Sequence, residues 1–497
     1  MPELAHWSYS LRNKLIAMVL IVVVLGGILS RSADFAVHAQ AEGGEWSTPI
    51  LLFDAEGQGN IFLPSVVADQ SGRVHVFWNL VLAEDDDQSF YSLLYYTRWD
   101  GTAWTDPIDV LASPSATAPS AAVDLSGNIH LIWHGPGDLL FYSQAPGGGT
   151  NSAHSWTSPI VIEETNIRSR IAIDSSGRLH LVYPRRDSLG LYYRRSEDRG
   201  ATWSLPVNIS QTSRFDSSAD FVRLAISDSG TIHVVWTEFQ LPFGWPPIGL
   251  FYSNSTDGGQ TWLEPIELVS EGYNQVNVAV VDDDVVHVVW NGMAGVHGRY
   301  HRWSSDSGRT WSKTFKLNTA GVEGSTGPPP LVVDSEGTLH LLMTDADTSG
   351  ADCVLYSSWQ NQSWTTPTCI SGEEAGASDF IEEPTMVISE GNNLQAVFWD
   401  DRQRLWYTTK QTAAPTVPPV PIPTETSKPT RSIKLPTPSR TPAPTPTPRP
   451  TRVVPLNEKM DESSPPNPGE PVFLAMVPVV VLISSIILIR TVSHRKH

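Results

Sequence analysis

The sequence predicts an all-β protein: a seven-bladed β-propeller of four-stranded antiparallel blades closed by an N-terminal strand. Outside that domain it predicts a disordered Pro/Thr stalk and one C-terminal transmembrane helix. Three observations carry the propeller. An apolar run, a D-x-x-G-like turn and an h-H-h-h-W run recur seven times, ending at Trp78, Trp133, Tyr183, Trp236, Trp290, Met343 and Trp399. The histidines His75, His130, His180, His233, His287 and His340 are spaced 55, 50, 53, 54 and 53 residues apart, with Gln395 in the seventh place after a further 55. A hairpin pattern, S-x-D-x-G-x-T-W, appears at Ser196–Trp203, Ser255–Trp262 and Ser304–Trp311. A period near fifty residues with four β-runs per unit is what a propeller blade requires.

In chain order, Arg12 and Lys14 precede an apolar run from Leu15 to Leu29, and A-V-H-A-Q-A follows at Ala36–Ala41. This reads as a secretory signal peptide over residues 1–41. The propeller domain is placed at residues 42–410. Its first strand, in W-S-T-P-I-L-L-F (Trp46–Phe53), matches the fourth strands W-T-D-P-I-D-V and W-L-E-P-I-E-L but precedes the first blade. The seventh unit ends after its third strand, Leu405–Thr409. The N-terminal strand is therefore expected to complete blade seven and cover an edge that would otherwise invite aggregation.

The third unit shows the strands of a blade most clearly: Arg170–Ile173, Leu179–Tyr183, Leu191–Arg195 and Trp203–Ile209, here termed a to d. In the S-x-D-x-G-x-T-W hairpin the Asp bonds its own backbone, the Gly accepts positive φ, and the Trp begins strand d. Asp198, Asp257 and Asp306 are thus read as structural. The repeated histidines are read the same way, because a residue present in nearly every blade is spread round the ring and does not converge on one ligand. In the sixth unit, a turn in W-Q-N-Q-S-W (Trp359–Trp364) would set Cys353 opposite Cys369, the two cysteines of the chain. In an exported domain this pair is expected to form a disulfide, worth roughly 3 kcal/mol by the chain-entropy estimate.

Residues 411–471 are rich in Thr-Pro and Pro-Thr steps and have little to bury, so an extended stalk is expected. Val472–Ile489 is an uncharged apolar run of the length a transmembrane helix needs, and the basic tail 490–497 carries Arg490, Arg495 and Lys496. The expected location is the plasma membrane, single-pass, with the N-terminal domain outside.

Between Glu42 and Lys410 there are 20 Lys and Arg against 46 Asp and Glu, a net charge of −26. Such a balance argues against nucleic acid as a partner. No metal or cofactor motif is read.

The repeated hairpin resembles the Asp box (bacterial neuraminidase repeat) of sialidase-type propellers. The resemblance implies a propeller fold and, in the enzymes, an arginine cluster gripping a carboxylate, an Asp acid/base and a Tyr–Glu nucleophile pair. The enzymes of the familiar type have six blades, whereas seven are counted here. Their F/Y-R-I-P motif is matched by I-F-L-P at Ile61–Pro64, with Phe62 where the arginine should stand.

Topology assigns the tight a–b and c–d turns to one face and the longer b–c and d–a loops to the other, where function is expected. Strand a lines the central channel. Four positions before each D-x-x-G Asp the series reads Ser65, Ser120, Arg170, Arg223, Asn277, Pro330 and Thr385. Arg170, Arg223 and Asn277 are the candidates there. The b–c loops add Arg185, Arg186, Glu238, Asp345, Asp400 and Asp401, and the loop Phe239–Pro247 adds Trp245, an aromatic suited to sugar stacking or protein contact. The expected function is a surface-displayed binding module for a glycan or protein. The alternatives are an exo-sialidase or related glycosidase with a rewired site, and a chiefly structural envelope protein.

Overall fold

The structure is a computed structural model that describes residues 43–83, 90–111, 116–165, 168–185, 190–210, 217–240, 247–270, 273–292, 298–317, 327–346, 352–372, 381–389 and 392–416. The leader, the stalk from residue 417 onward, the apolar C-terminal run and the basic tail lie outside the described residues, while Gln411, expected to open the stalk, ends the third strand of blade 7. Among the described residues, no helix is long and apolar enough to cross a membrane.

Seven antiparallel sheets follow one another in chain order, and each strand a touches the strand a of the next blade, with blade 7 meeting blade 1. Blade 1 comprises Asn60–Ala68, Val74–Ala83, Phe90–Trp99 and Ile108–Asp109. Blade 2 comprises Thr117–Val123, Asn128–Gly135, Leu139–Pro146 and Ile160–Glu164. Blade 3, with Arg170–Ile173, Leu179–Pro184, Leu191–Ser196 and Val207–Asn208, follows the expected strands, although its strand d is much shorter. Blades 4 and 5 begin with Ser217–Ile226 and Tyr273–Val281, and blade 6 with Leu331–Val333. Blade 7 comprises Ile381–Ser389, Asn393–Asp400, Arg404–Gln411 and, as its fourth strand, Ile50–Asp54 from the N-terminus. The ring is closed as the sequence predicts. The d strands remain as outer edges and are kept short, two residues long in blades 1, 3 and 5.

Alternation in strand b explains the h-H-h-h-W motif. Trp236 and Val234 pack in a core shared with blade 3, whereas Val235 packs in one shared with blade 5. Both faces of every sheet are thus buried, and each of the seven core clusters straddles one seam between blades. His233, on the same side as Val235, bonds Tyr252 Oη at 2.7 Å, and that hydroxyl donates at 3.1 Å to Ser307 O of the next blade. His130–Tyr142–Arg199 O and His180–Tyr193–Gly258 O repeat the relay. The Asp of the a–b turn approaches the other imidazole nitrogen, at 3.2 Å for Asp174 with His180 and for Asp334 with His340.

The Asp box is the socket for this relay. In Ser255–Trp262 the Ser255 hydroxyl donates to Asp257 at 2.8 Å and accepts the Gly259 N–H at 2.9 Å, while Thr261 donates to Asp257 through both its N–H and its hydroxyl. Gly259 has φ 85°, and a Cβ there would lie 2.0 Å from the Tyr193 ring of the preceding blade. Gly200 and Gly308 meet Tyr142 and Tyr252 in the same way. The box Trp then receives that tyrosine edge-on, at 5.7 Å for Trp203 with Tyr142, 5.1 Å for Trp262 with Tyr193 and 5.0 Å for Trp311 with Tyr252. Seams without an Asp box keep the aromatic contact. Trp364 meets His301 at 5.4 Å, Trp46 meets Tyr356 at 5.3 Å, and Trp104 meets Tyr407 at 4.8 Å.

Cys353 and Cys369 form the expected disulfide, with a Cα–Cα distance of 5.8 Å. The register differs from the expected one, since Cys369 lies opposite Leu355 and the bridge is diagonal. The turn is a two-residue one at Asn361 and Gln362, both at positive φ, so Gln360 pairs with Ser363 and the parity changes. The Pro367 that follows has no N–H for the ladder, and the register has moved by one more residue at Thr368.

Candidate functional site

Strand a runs from the loop-rich face toward the a–b turn, and near its start most blades share one irregularity. In blades 1, 2, 4, 5 and 7 its register against strand b shifts, and one non-glycine residue takes a left-handed conformation: Leu63, Ala118, Phe221, Gln275 and Glu383, with φ between 43° and 55°. Such bulges re-aim side chains. Three of their N–H groups have side-chain acceptors. Leu63 N–H donates to Glu383 Oε2 at 2.7 Å across the seam between blades 7 and 1, Ala118 N–H to Asn79 Oδ1 at 3.0 Å, and Phe221 N–H to Asp220 Oδ1 at 2.6 Å.

The channel positions, two residues past the bulge in the blades that have one, include Arg170 and Arg223, on neighbouring blades and both half-buried. Arg170 Nη1 donates to Ser169 O at 2.8 Å, and Arg223 Nη1 to Val222 O at 2.9 Å. Arg168, just ahead of strand a in blade 3, reaches Asp220 Oδ2 at 3.4 Å and lies 4.8 Å over the Phe221 ring. Burial, with repulsion from Arg168, lowers Arg170 to about 10, and the carboxylates of Asp220 and Glu383 oppose that shift. Arg223 is lowered well below the usual arginine value by burial, and then by Arg170 and Arg168, against the same two carboxylates. The three arginines and Asp220 thus sit at the start of neighbouring strands a, with Arg168 and Asp220 paired at 3.4 Å.

His134 borders this group. It is 3% exposed, and its Nδ1 bonds Thr165 O at 2.8 Å. Burial holds it near pKa 4, and the charges of Arg170 and Arg168 add to that effect against the Thr165 carbonyl. It is neutral at physiological pH and bridges strand b of blade 2 to the linker entering blade 3.

Of the residues singled out in the sequence, Arg170 and Arg223 come together, and Asn277 occupies the next channel position, where its Nδ2 donates to Pro329 O at 3.0 Å. The others are bound to different partners. Arg185 stacks 5.3 Å over Tyr192 and lies 4.0 Å from Glu163. Glu238 is 2% exposed and accepts from Ser217 Oγ and Trp236 Nε1 within its own blade. Asp345 lies opposite Cys353 in blade 6, where its charge supports the buried Arg299. Asp400 binds Arg404 and Trp406, and Asp401 follows it in the b–c turn with a buried Oδ1. Trp245 and Arg186 lie outside the described residues. Phe62 packs at 5.6 Å against Trp399 across the seam between blades 7 and 1, in place of an arginine at the channel. Among the described residues, no group of three or more His, Cys, Asp or Glu side chains is placed to hold a metal ion.

Sequence reasoning passed over Arg168, Asp220, Glu383 and His134. The available signal was position. Arg168 precedes Arg170 by two residues, and Asp220 precedes Arg223 by three. The bulge beside Asp220 carries no glycine to announce it.

No family model matches the chain, and no curated protein matches it. Solved structures do. A protein of unknown function from Dyadobacter fermentans aligns over 74% of this chain and 99% of its own, at 13% identity and a TM-score of 0.47. The polysaccharide lyase Uly1 aligns over 72% and 90%, at 12% identity and a TM-score of 0.47. The NanB sialidase from Streptococcus pneumoniae aligns over 74% and 71%, at 15% identity and a TM-score of 0.41. At these values no residue role passes from them to this chain. The architecture rests on its own ladders and seams, and it is the fold that the Asp-box resemblance implies, a β-propeller.

Proposed function

We propose that this chain is a surface-displayed binding module whose loop-rich face captures an acidic glycan through the arginines at the channel mouth. The observation that carries the reading is the convergence of Arg168, Arg170 and Arg223 within a domain whose net charge is −26. A cationic spot inside an acidic surface selects for an anion held in place by directed hydrogen bonds, because the field of the whole domain repels anions at a distance. A carboxylate matches the fork geometry of a guanidinium. A binding role is favoured over hydrolysis because Asp220 and Glu383 are both engaged, Asp220 by Arg168 and the Phe221 N–H and Glu383 by the Leu63 N–H.

The display part of the reading is supported by where the chain enters and leaves the ring. Ser47 N–H donates to Thr409 O at 2.8 Å, Lys410 Nζ donates to Gly44 O, and Thr412 N–H donates to Asn392 O at 2.9 Å, beside the a–b turn of blade 7. Both ends of the domain thus lie on the tight-turn face, opposite the arginines. The secretory leader and the apolar run Val472–Ile489 support an exported, membrane-anchored chain.

The test is a glycan array probed with the full chain in mild detergent. Binding is expected to concentrate on uronate- or sialate-bearing glycans, and Arg223→Ala is expected to weaken it about 10- to 100-fold, the worth of one charge-assisted pair. Binding that ignores acidic sugars, or survives Arg223→Ala unchanged, overturns the reading. Release of the sugar from a fluorogenic sialoside, abolished by Arg170→Ala, would put the hydrolase in its place.

A further inference from the structure

The seam between blades 5 and 6 is joined by a different relay. His287, on strand b of blade 5 (Val285–Gly292), has the place of the repeated histidine, but its partner on strand c (Gly298–Ser304) is His301, where the other blades have a tyrosine. His287 Nδ1 and His301 Nε2 are 2.9 Å apart, with the rings stacked at 5.1 Å. From strand d of blade 6, Trp364 Nε1 donates to His301 Nδ1 at 3.2 Å, and the Trp359 ring of that blade meets His301 edge-on at 4.6 Å. Both histidines are buried.

The tautomers follow from the indole, which donates and cannot accept. His301 Nδ1 is therefore the acceptor and its proton sits on Nε2. That proton goes to His287 Nδ1, so His287 carries its own on Nε2. Each ring has its one lone pair engaged. A proton added to either replaces a bond of the chain with two donors facing each other. The added charge also finds no counter-ion. Asp69, Asp124, Asp174 and Asp334 approach the histidines of blades 1, 2, 3 and 6, whereas Val281 has that place in blade 5. The facing wall of blade 6 is apolar, with Leu339, Leu341 and Leu355. Charged groups on the flanking elements are engaged elsewhere: Asp283 by the Ser229 N–H, Asp284 by Ser307, Asp306 by Thr310, Asp334 by His340 and Arg302 by Leu268 O. Arg299, two residues before His301, donates to Thr344 O and is supported by Asp345. Asp282, Lys316 and Glu336 are exposed.

We propose that the His287–His301 pair is an acid-operated latch, which holds the blade 6 hairpin through Trp364 at neutral pH and lets it go on acidification. Burial brings His287 to about 4 and, with the charge of His287, holds His301 well below 6.5. The folded state thus binds fewer protons than the unfolded one, and the stability this gives above pH 6.5 is lost as pH falls toward 4. The hairpin stays tied to its blade, because Trp359–Trp364 lies between Cys353 and Cys369, which are joined by the disulfide. Release is therefore local and reversible.

The test is hydrogen exchange of the full chain in mild detergent at pH 7.0 and 4.5, read by mass spectrometry and corrected for the intrinsic pH dependence of exchange. Protection of residues 352–364 is expected to fall at least about 10-fold more than that of Leu191–Ser196 in blade 3, whose relay includes Asp174, and to return at pH 7.0. His301→Tyr, which restores the residue of the other blades, is expected to abolish the difference. Trp364→Phe keeps a ring without the donor and is expected to leave the hairpin equally open at both pH values. Protection lost evenly round the ring, loss that does not reverse, or a blade 6 step that persists in a variant melting cooperatively at pH 7.0 overturns the latch.

Discussion

His233 has the least complete surroundings of the relay histidines. Its Nδ1 meets Tyr252 Oη, but its Nε2 is buried without a partner, because blade 4 has Ser227 where blades 1, 2, 3 and 6 place Asp. Blade 7 shows the alternative. There Ser389 occupies the Asp position, Gln395 replaces the histidine, its Nε2 donates to Ser389 Oγ at 2.6 Å, and its Oε1 accepts from Tyr407 Oη. His233→Gln should therefore rebuild the blade 7 arrangement on Ser227 and match or exceed the parent in stability, by up to about 1 kcal/mol in denaturant unfolding. The same change bears on acid sensitivity. Burial lowers His233 from 6.5 to about 4, so the folded state binds fewer protons than the unfolded one, and the stability this gives above pH 6.5 is lost as pH falls toward 4. Melting temperatures at pH 7.5 and pH 4.5 should differ less for His233→Gln than for the parent. An equal difference would mean that this histidine does not titrate with unfolding.

At the scale of the element, the Asp-box turn is a joint between blades. Its glycine has two independent reasons to be glycine, a φ of 85° and the Tyr193 ring 2.0 Å from where a Cβ would sit. Gly259→Ala should cost about 3 kcal/mol or more, whereas Tyr193→Phe, which loses only the hydroxyl bonds to His180 and Gly258 O, should cost about 1 kcal/mol per bond. In a Tyr193→Ala background the penalty of Gly259→Ala should shrink to its backbone part. A penalty that stays whole in the double mutant would show that the ring is not what excludes the side chain. This joint also marks how far the sequence could be read. Turn, period and strand order were legible because Asp, Gly, His and Trp recur at fixed offsets. The disulfide partners were legible as well, but their register was not, since it depends on the parity of a two-residue turn and on one proline. At the site, Arg170 and Arg223 were legible from their place in the repeat. Asp220 and Glu383 were hidden because the bulges there put Phe221 and Glu383 themselves at positive φ, where no residue type signals the conformation, and Arg168 was hidden because it lies ahead of strand a of blade 3, off the repeated positions.

At the scale of the whole molecule, no blade has a core of its own among the described residues. Every core cluster is shared by two blades, so the ring is stable as a closed set of seams, and the segment that closes it should matter more than its contact area suggests. That segment is residues 43–54. Leu52 and Phe53 pack on the core between blades 7 and 1, and Trp46 packs on the core between blades 6 and 7. Ser47 adds bonds to Thr408 and Thr409. A chain lacking residues 43–54 leaves blade 7 with three strands and loosens two seams at once, while strand c of that blade, Arg404–Gln411, becomes an open edge. The expected result is loss of the single cooperative melt and concentration-dependent aggregation, read by scanning calorimetry and light scattering. A synthetic peptide spanning residues 43–56, added in excess, should restore the transition, because the strand binds by the same ladder and the same Trp46–Tyr356 contact whether or not it is covalently joined. A truncated chain that melts cooperatively within a few degrees of the parent would show that the blades hold the ring without the closing strand.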